Sequence, residues 1–324
     1  MNRAPKDIPK ERLYEWFHKS VVAERVLSSY IVVNGWTLPG KAEALSSCGK
    51  FYDIGCLKVD KHVNERLDIF EDWRKVGVEF PQSSVVGKGY AERHLTNCRR
   101  LGCPICYANG KSITFRANEI VNRLDKAKAN LRLSGRVVHV VISVPKSVWG
   151  FDYAKMRSLV QYYAKKVGVF GGSLTYHPFR WSKAKNEWYF SPHFHSLCYA
   201  WIDGNKVAHY HRTKGWIIKN VGVRKSVFST AFYILSHCGI HTFHSSKYGH
   251  KATTWFGVCA YNKLRVGKEV IEKPKCPLCG SELVYIMWDS RKGKCPIPEA
   301  EGQYVIEPGS WYEIARRWTY GEGG

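Results

Sequence analysis

Residues 191–200 read Ser191-Pro192-His193-Phe194-His195-Ser196-Leu197-Cys198-Tyr199-Ala200, with two histidines on either side of one bulky apolar residue. Such an apolar and aromatic run is typical of a buried β-strand. Side chains two positions apart on a strand point to the same face, so His193 and His195 can offer two imidazoles to one metal ion. The stretch therefore predicts half of a metal site.

A second pair with the same spacing, His209-Tyr210-His211, has different surroundings. The next four residues, 212–215, are Arg, Thr, Lys and Gly. A polar run that ends in glycine predicts the end of a strand or a turn. We therefore take the second pair as surface histidines and assign the metal to the first pair.

Downstream, residues 228–239 predict a helix that ends at a glycine. Its apolar residues recur at helical spacing, while Tyr233 and His237 fall on another stripe. Residues four apart lie one turn apart on a helix, so Tyr233 and His237 can face the same ion.

The neighbouring segments predict an antiparallel sheet around the histidines. Residues 136–145 are typical of a buried strand, residues 153–167 of a helix, and residues 174–181 and 188–201 of a hairpin joined by residues 182–187. In that hairpin His177 lies near His193 or His195, which makes it a candidate third ligand. His237 is the other candidate.

A His-apolar-His strand followed by a tyrosine-bearing helix resembles the HUH endonucleases, which cut single-stranded DNA in rolling-circle replication initiators, relaxases and related transposases. The resemblance is closest to single-tyrosine replication initiators of plasmids and viruses. It implies an α+β fold with a ferredoxin-like core and an antiparallel sheet. It also implies Tyr233 as the nucleophile, a 5′-phosphotyrosine intermediate, and Mn²⁺ or Mg²⁺ on His193, His195 and a third ligand, with His237 slightly favoured over His177.

The chain departs from these families at one position. Many of them carry a lysine three residues after the tyrosine, where Ser236 stands here. The positive charge or proton that this lysine would supply must then come from Lys225, Arg224 or a histidine. Tyr248 is the second candidate for the nucleophile.

The charge of the chain predicts a polyanionic partner. Its 324 residues hold 50 Lys and Arg against 27 Asp and Glu, a net charge of +23. Such an excess favours nucleic acid, with strong salt dependence, and the resemblance implies single-stranded or origin hairpin DNA, with host replication proteins as further partners. Arg180 and Lys183 on the hairpin join basic and aromatic side chains, as single-strand binding requires, and are candidate DNA contacts.

No apolar run reaches the roughly 18 residues that span a bilayer. The N-terminus has no apolar signal segment either, so we expect a cytoplasmic protein acting on plasmid or viral DNA. In that compartment eleven cysteines are better explained as metal ligands and buried thiols than as disulfides.

Two cysteine motifs predict zinc, in addition to the catalytic metal. The first ends in a Cys-Pro-x-Cys turn, and its expected ligands are His94, Cys98, Cys103 and Cys106, with Cys48 and Cys56 as alternatives for one or two of them. The second is Cys276-Pro277-Leu278-Cys279, for which Cys295 and Cys259 are the expected further ligands and His241 or His244 less favoured ones.

We therefore expect three consecutive parts: a helical and zinc-knuckle region (1–130), an HUH endonuclease domain (131–265) and a zinc-ribbon-like region (266–324). A transposase or relaxase would share the same site, although the chain has no obvious helicase P-loop, which leaves a short initiator as the simplest choice. The rival from another class is a non-enzymatic zinc-ribbon protein that binds nucleic acid.

Overall fold

The computed structural model describes residues 10–62, 85–132, 135–242, 251–267 and 273–314. Tyr248 and His244 lie outside these residues. The helices are α1 (Lys10–Lys19), α2 (Val21–Ser28), α3 (Pro104–Ala108), α4 (Lys111–Asn130), α5 (Tyr153–Lys166), α6 (Gly204–Lys214) and α7 (Val227–Leu235). The strands are β1 (Val32–Val33), β2 (Trp36–Thr37), β3 (Phe51–Cys56), β4 (Gly89–Leu95), β5 (Val138–Ser143), β6 (Val169–Ser182), β7 (Glu187–Ala200), β8 (Ile217–Val223), β9 (Ile240–His241), β10 (Thr253–Gly257), β11 (Val284–Trp288), β12 (Gly302–Ile306) and β13 (Trp311–Glu313).

The chain forms two compact units, each made of two segments. Unit 1 comprises residues 1–46 and 97–267, and unit 2 comprises residues 47–96 and 268–324. This division differs from the three consecutive parts expected from the sequence. The reason is that β3 and β4, early in the chain, pair with β11 and β12 near its end.

Unit 1 is built on a five-stranded antiparallel sheet with the order β10-β6-β7-β5-β8. The expected hairpin is confirmed as β6 and β7, the expected buried strand as β5, and the helix that follows it as α5. The histidine strand β7 is the central strand, between β6 and β5. Both of its edges are therefore paired, and its residues 192–199 are buried.

The two faces of β7 enter different cores. Leu197 and Tyr199 pack with α4 and α7, while Phe194 and Cys198 pack with α5. Because side chains alternate along a strand, the odd-numbered His193 and His195 lie on the face of Leu197 and Tyr199, toward α4 and α7. The pleat thus directs both imidazoles to the side of the sheet that carries the tyrosine helix.

The second His-x-His pair lies in helix α6, not at a strand end or turn as its sequence predicts. Asp203 caps this helix by accepting hydrogen bonds from the backbone N–H groups of Asn205 and Lys206, and Gly215 ends it with a positive φ of 72°. His209 and His211 are exposed there, as expected for surface histidines.

Unit 2 contains a second antiparallel sheet, with the order β12-β4-β3-β11-β13. Arg93 on β4 forms a buried, two-pronged ion pair with Asp53 on β3, at 2.7 Å for both nitrogen–oxygen contacts. The guanidinium also donates to the backbone carbonyls of Ile297 and Pro298, so this charge is fully partnered inside the unit. Across the described residues of both units, no helix combines the length and the apolarity needed to cross a membrane.

Candidate active site

Three histidines of unit 1 lie close enough to share one metal ion. The nearest ring nitrogens of His177, His193 and His195 all lie within 4.8 Å of one another, and all three side chains are buried. The structure thus brings together the His-x-His pair and the third ligand offered by the hairpin. His237, the slightly favoured alternative, is not part of this group.

The strand register explains the grouping. His177 on β6 is the direct cross-strand partner of His193 on β7, and Thr175 is the partner of His195. Directly opposite residues on antiparallel strands have Cβ atoms about 5 Å apart. His177 accordingly lies with its ring centroid 5.2 Å from that of His193 and 4.3 Å from that of His195.

Hydrogen bonds fix which nitrogen each β7 histidine can offer. His193 Nδ1 lies 2.8 Å from the carbonyl oxygen of Ser191, which can only accept, so Nδ1 carries the proton and Nε2 keeps its lone pair. His195 Nδ1 is hydrogen-bonded to Nε2 of His139 on β5, at 2.9 Å. Metal-binding histidines almost always engage their second nitrogen in this way. His139 was not among the sequence candidates, because a lone histidine in an apolar strand carries no motif.

His177 is the best indication that the cluster is suited to a metal. It is 0% exposed, and neither of its ring nitrogens has a hydrogen-bond partner among the described residues. A buried polar group without a partner is destabilising, and such groups in native proteins often mark an ion or a functional site. A divalent cation bound by His177, His193 and His195 would provide the missing partner.

Burial keeps these imidazoles neutral, which is the form that binds metals. Desolvation lowers the pKa of His193 to about 3 and those of His139 and His237 to about 4, from an ordinary value of 6.5. The same cause holds the pKa values of His177 and His195 well below 6.5.

We expect the metal-free protein to lose stability as the pH falls from about 6.5 to about 4. Below 6.5 the unfolded chain binds protons on these histidines and the folded chain does not, so protonation favours unfolding. Each such histidine contributes about 1.4 kcal/mol per pH unit. Urea unfolding at several pH values measures this slope, and His139→Leu should reduce it. A free energy of unfolding that is constant between pH 6.5 and 4 would contradict the neutral cluster.

The expected nucleophile lies beside the histidine cluster. The Tyr233 ring is 4.9 Å from the ring of His237, which is 4.6 Å from that of His177. His237 thus lies between the proposed ligands and the tyrosine. Tyr233 is half-buried against Trp16, and burial raises the pKa of its phenol. Ser236, at the position of the lysine in the resembled families, is buried and donates to the carbonyl of Tyr233.

The two candidate DNA contacts occupy different environments. Arg180 on β6 is half-buried and donates to the hydroxyl of Ser143, the cross-strand partner of His193. Its positive charge contributes to the low pKa of His193, after the larger effect of burial. Lys183 lies exposed in the turn between β6 and β7. The structure therefore places Arg180, and not Lys183, next to the histidine cluster.

The first cysteine motif is partly assembled within unit 1. The sulfurs of Cys98, Cys103 and Cys106 lie within 4.8 Å of one another, and such a group can hold a metal such as zinc. His94, expected as the fourth ligand, is on β4 of unit 2, where its Nε2 contacts the carboxylate of Glu92 at 3.2 Å. The alternative ligand Cys48 also belongs to unit 2.

The second cysteine motif is completed by residues that the sequence did not assign to it. Cys276 and Cys279 lie with Cys56 and His62, and all four ligand atoms are within 4.8 Å of one another. The expected ligands Cys295 and Cys259 are elsewhere. Cys295 Sγ accepts a hydrogen bond from Arg93 in the same unit, whereas Cys259 is buried in the core of unit 1.

Neither protein-family models, nor curated proteins, nor solved structures give a significant match to this chain.

Proposed function

We propose that the protein is a rolling-circle replication initiator of the HUH type, which nicks single-stranded origin DNA through Tyr233 and later rejoins the strands. The observation that carries this proposal is the buried cluster of His177, His193 and His195, with His237 and Tyr233 lined up beside it. Such chemistry needs a metal site and a nucleophile. The unpartnered imidazole of His177 beside two further histidines offers the first, and Tyr233, one turn from His237, offers the second.

The connectivity of unit 1 supports the ferredoxin-like part of the proposal. The elements run β5, α5, β6, β7, α6 and β8, and the four strands lie in the order β6-β7-β5-β8. This is the split β-α-β pattern repeated once, with all neighbours antiparallel. Helices α5 and α6 pack on one face of the sheet, and α7 with Tyr233 packs on the other.

The distribution of charge supports unit 1 as the part that binds DNA. Unit 1 contains 34 Lys and Arg against 10 Asp and Glu, a net charge of +24. Unit 2 contains 16 against 17, a net charge of −1. Binding of polyanions depends on such an excess. The rival proposal is a zinc-ribbon protein that binds nucleic acid. The second cysteine motif supports it poorly, because that motif lies in unit 2, which has no positive net charge.

Each side chain of the site would have a separate role in the reaction. His177, His193 and His195 would hold Mn²⁺ or Mg²⁺, and the ion would supply positive charge against the oxygens of the scissile phosphate. The phenol oxygen of Tyr233 attacks phosphorus, the bond to the 3′ oxygen breaks, and a 5′-phosphotyrosine and a free 3′-OH result. His237, which burial keeps neutral, would accept the phenol proton on a ring nitrogen. The 3′ oxygen takes up a proton as it leaves, and the reverse step rejoins the strand.

Arg180 would contact a phosphate next to the reacting one. A guanidinium–phosphate hydrogen bond contributes about 1.5–3 kcal/mol, so Arg180→Gln should reduce affinity for single-stranded DNA by about 10–100-fold. Lys183→Gln is the matched control on the same hairpin, and its affinity should stay within about 3-fold of the wild type because an exposed lysine is well solvated. Fluorescence anisotropy with a labelled oligonucleotide measures both, and equal losses in the two variants would exclude this role for Arg180.

The proposal is tested by incubating the protein with end-labelled single-stranded DNA, from its own replicon, with Mn²⁺ or with a chelator. Denaturing electrophoresis should reveal a protein–DNA adduct that forms only with the metal. Tight binding without an adduct on any strand would overturn the nuclease proposal and favour a non-enzymatic nucleic-acid-binding protein. An adduct formed on transposon ends or transfer origins would instead indicate a transposase or relaxase.

A further inference from the structure

We propose that unit 2 binds one structural Zn²⁺ through Cys56, His62, Cys276 and Cys279, and that this ion joins the two chain segments from which the unit is built. The site is independent of the histidine cluster, since all of its ligands lie in unit 2.

The distances within the group fit a single small ion. Cys56 Sγ lies 3.7 Å from Cys279 Sγ, and Cys276 Sγ lies 3.5 Å from His62 Nε2. Ligands at zinc–sulfur and zinc–nitrogen distances of about 2.0–2.3 Å in a tetrahedron are separated by about 3.5–3.8 Å. Cys56, His62 and Cys276 are at most 2% exposed, so the group is closed to solvent on most sides.

The position of the His62 proton supports the assignment. Its Nδ1 lies 2.6 Å from the carbonyl oxygen of Lys88. A carbonyl can only accept, so the proton is on Nδ1 and the lone pair of Nε2 points to the sulfurs. The same arrangement orients histidine ligands in known zinc sites.

The cysteine turn has the backbone geometry of a metal knuckle. The N–H groups of Leu278 and Cys279 are directed at the sulfur of Cys276, and the N–H of Lys58 at the sulfur of Cys56. The turn closes with a hydrogen bond from the Gly280 N–H to the Cys276 carbonyl, and Gly280 has a φ of +73°.

The ligand chemistry selects the metal. Three thiolates and one imidazole in a closed set of four are typical of structural zinc. Thiolate ligands select soft metals such as zinc over Mg²⁺ and Mn²⁺, and three of the four ligands in this group are cysteines. The group therefore differs in chemical preference from the histidine cluster of unit 1, which offers only nitrogen ligands.

The ligands come from both segments of the unit. Cys56 ends β3 and His62 follows it, while Cys276 and Cys279 precede β11, which pairs with β3 over only three residue pairs. Among the described residues of unit 2, the apolar core consists of two small clusters. Small cores of this kind commonly need a metal to be stable.

The test is the zinc content of the full-length protein, measured by mass spectrometry of the metals after extensive dialysis. Cys279→Ser should contain one zinc ion per chain fewer than the wild type. Cys295→Ser is the matched control, because Cys295 is in the same unit but outside the group, and it should keep the wild-type content. His62→Cys should also keep it, since thiolate replaces imidazole. An unchanged zinc content in Cys279→Ser, or an equal loss in Cys295→Ser, would overturn the assignment.

The joining role is tested on the wild-type protein by hydrogen exchange with and without a strong chelator. Removal of the metal should accelerate exchange by at least about 100-fold in β3, β4 and β11, and leave β5 to β7 protected. Exchange in β3 and β11 that does not respond to loss of zinc would exclude a role of the ion in joining the segments. Neither measurement involves DNA, so the result does not depend on whether the protein cleaves it.

Discussion

Replacement of Tyr233 by phenylalanine should abolish formation of the covalent DNA adduct, by a factor of at least about 1,000. The substitution removes only the hydroxyl that would attack phosphorus, and loss of a nucleophile commonly costs several orders of magnitude in rate. The aromatic contacts with Trp16 and His237 can be kept by the phenyl ring, so affinity for single-stranded DNA should change by less than about 3-fold. Both quantities are measured on the same labelled oligonucleotide with Mn²⁺.

Tyr162→Phe is the control for this experiment, because Tyr162 is an exposed tyrosine on α5, the helix on the opposite face of the sheet. It should form the adduct at the wild-type rate. An adduct that persists in Tyr233→Phe would move the nucleophile to another tyrosine, with Tyr248 tested first.

Replacement of His177 by leucine should have opposite effects on activity and on stability. We expect metal-dependent cleavage to fall by at least about 100-fold, because one of the three proposed ligands is lost. The metal-free protein should become more stable, by about 1–2 kcal/mol, because leucine removes a fully buried imidazole without hydrogen-bond partners. A residue that serves to bind a ligand can lower the stability of the folded protein. Its replacement can therefore raise stability and abolish function together.

Thermal unfolding with and without Mn²⁺ separates the two effects. The wild type should gain stability as Mn²⁺ is added, by an amount set by the metal concentration and its dissociation constant, and His177→Leu should not. His211→Leu, a change at an exposed histidine on α6, should retain the response. If His177→Leu is destabilised and still responds to Mn²⁺, His177 has only a packing role.

The parts of unit 1 that were predictable are those encoded by local patterns. The hairpin, strand β5 and helices α5 and α7 follow from alternation, helical spacing and end signals within short stretches. His177 was a candidate ligand because the predicted hairpin places it near His193 or His195 on the neighbouring strand. The choice between His177 and His237 required the actual register, since a shift of one residue moves every side chain of a strand to the other face.

Unit 2 was not predictable, because its pairings join distant parts of the chain. His62 follows Cys56 by six positions, a spacing with no motif, and its partner Cys276 is 214 residues away. The sequence therefore identified Cys276 and Cys279 as a knuckle and predicted Cys295 and Cys259 as further ligands, whereas the structure groups the pair with Cys56 and His62. The two discontinuous units differ from the three consecutive parts expected for the same reason, since composition does not reveal which strands pair.

The discontinuous make-up of unit 2 has a consequence for biosynthesis. A ribosome that has just translated residues 47–96 must add the whole central segment of unit 1 before β11 and the cysteine knuckle emerge. At about 5–20 residues per second, the 171 residues of this segment take about 9–34 s. During that interval β3 can already pair with β4, but it lacks its other neighbour β11, and Cys56 and His62 lack Cys276 and Cys279. The proposed catalytic unit can therefore finish folding first, while β3 and β4 must wait on the nascent chain for β11 and β12, their partners from the second segment.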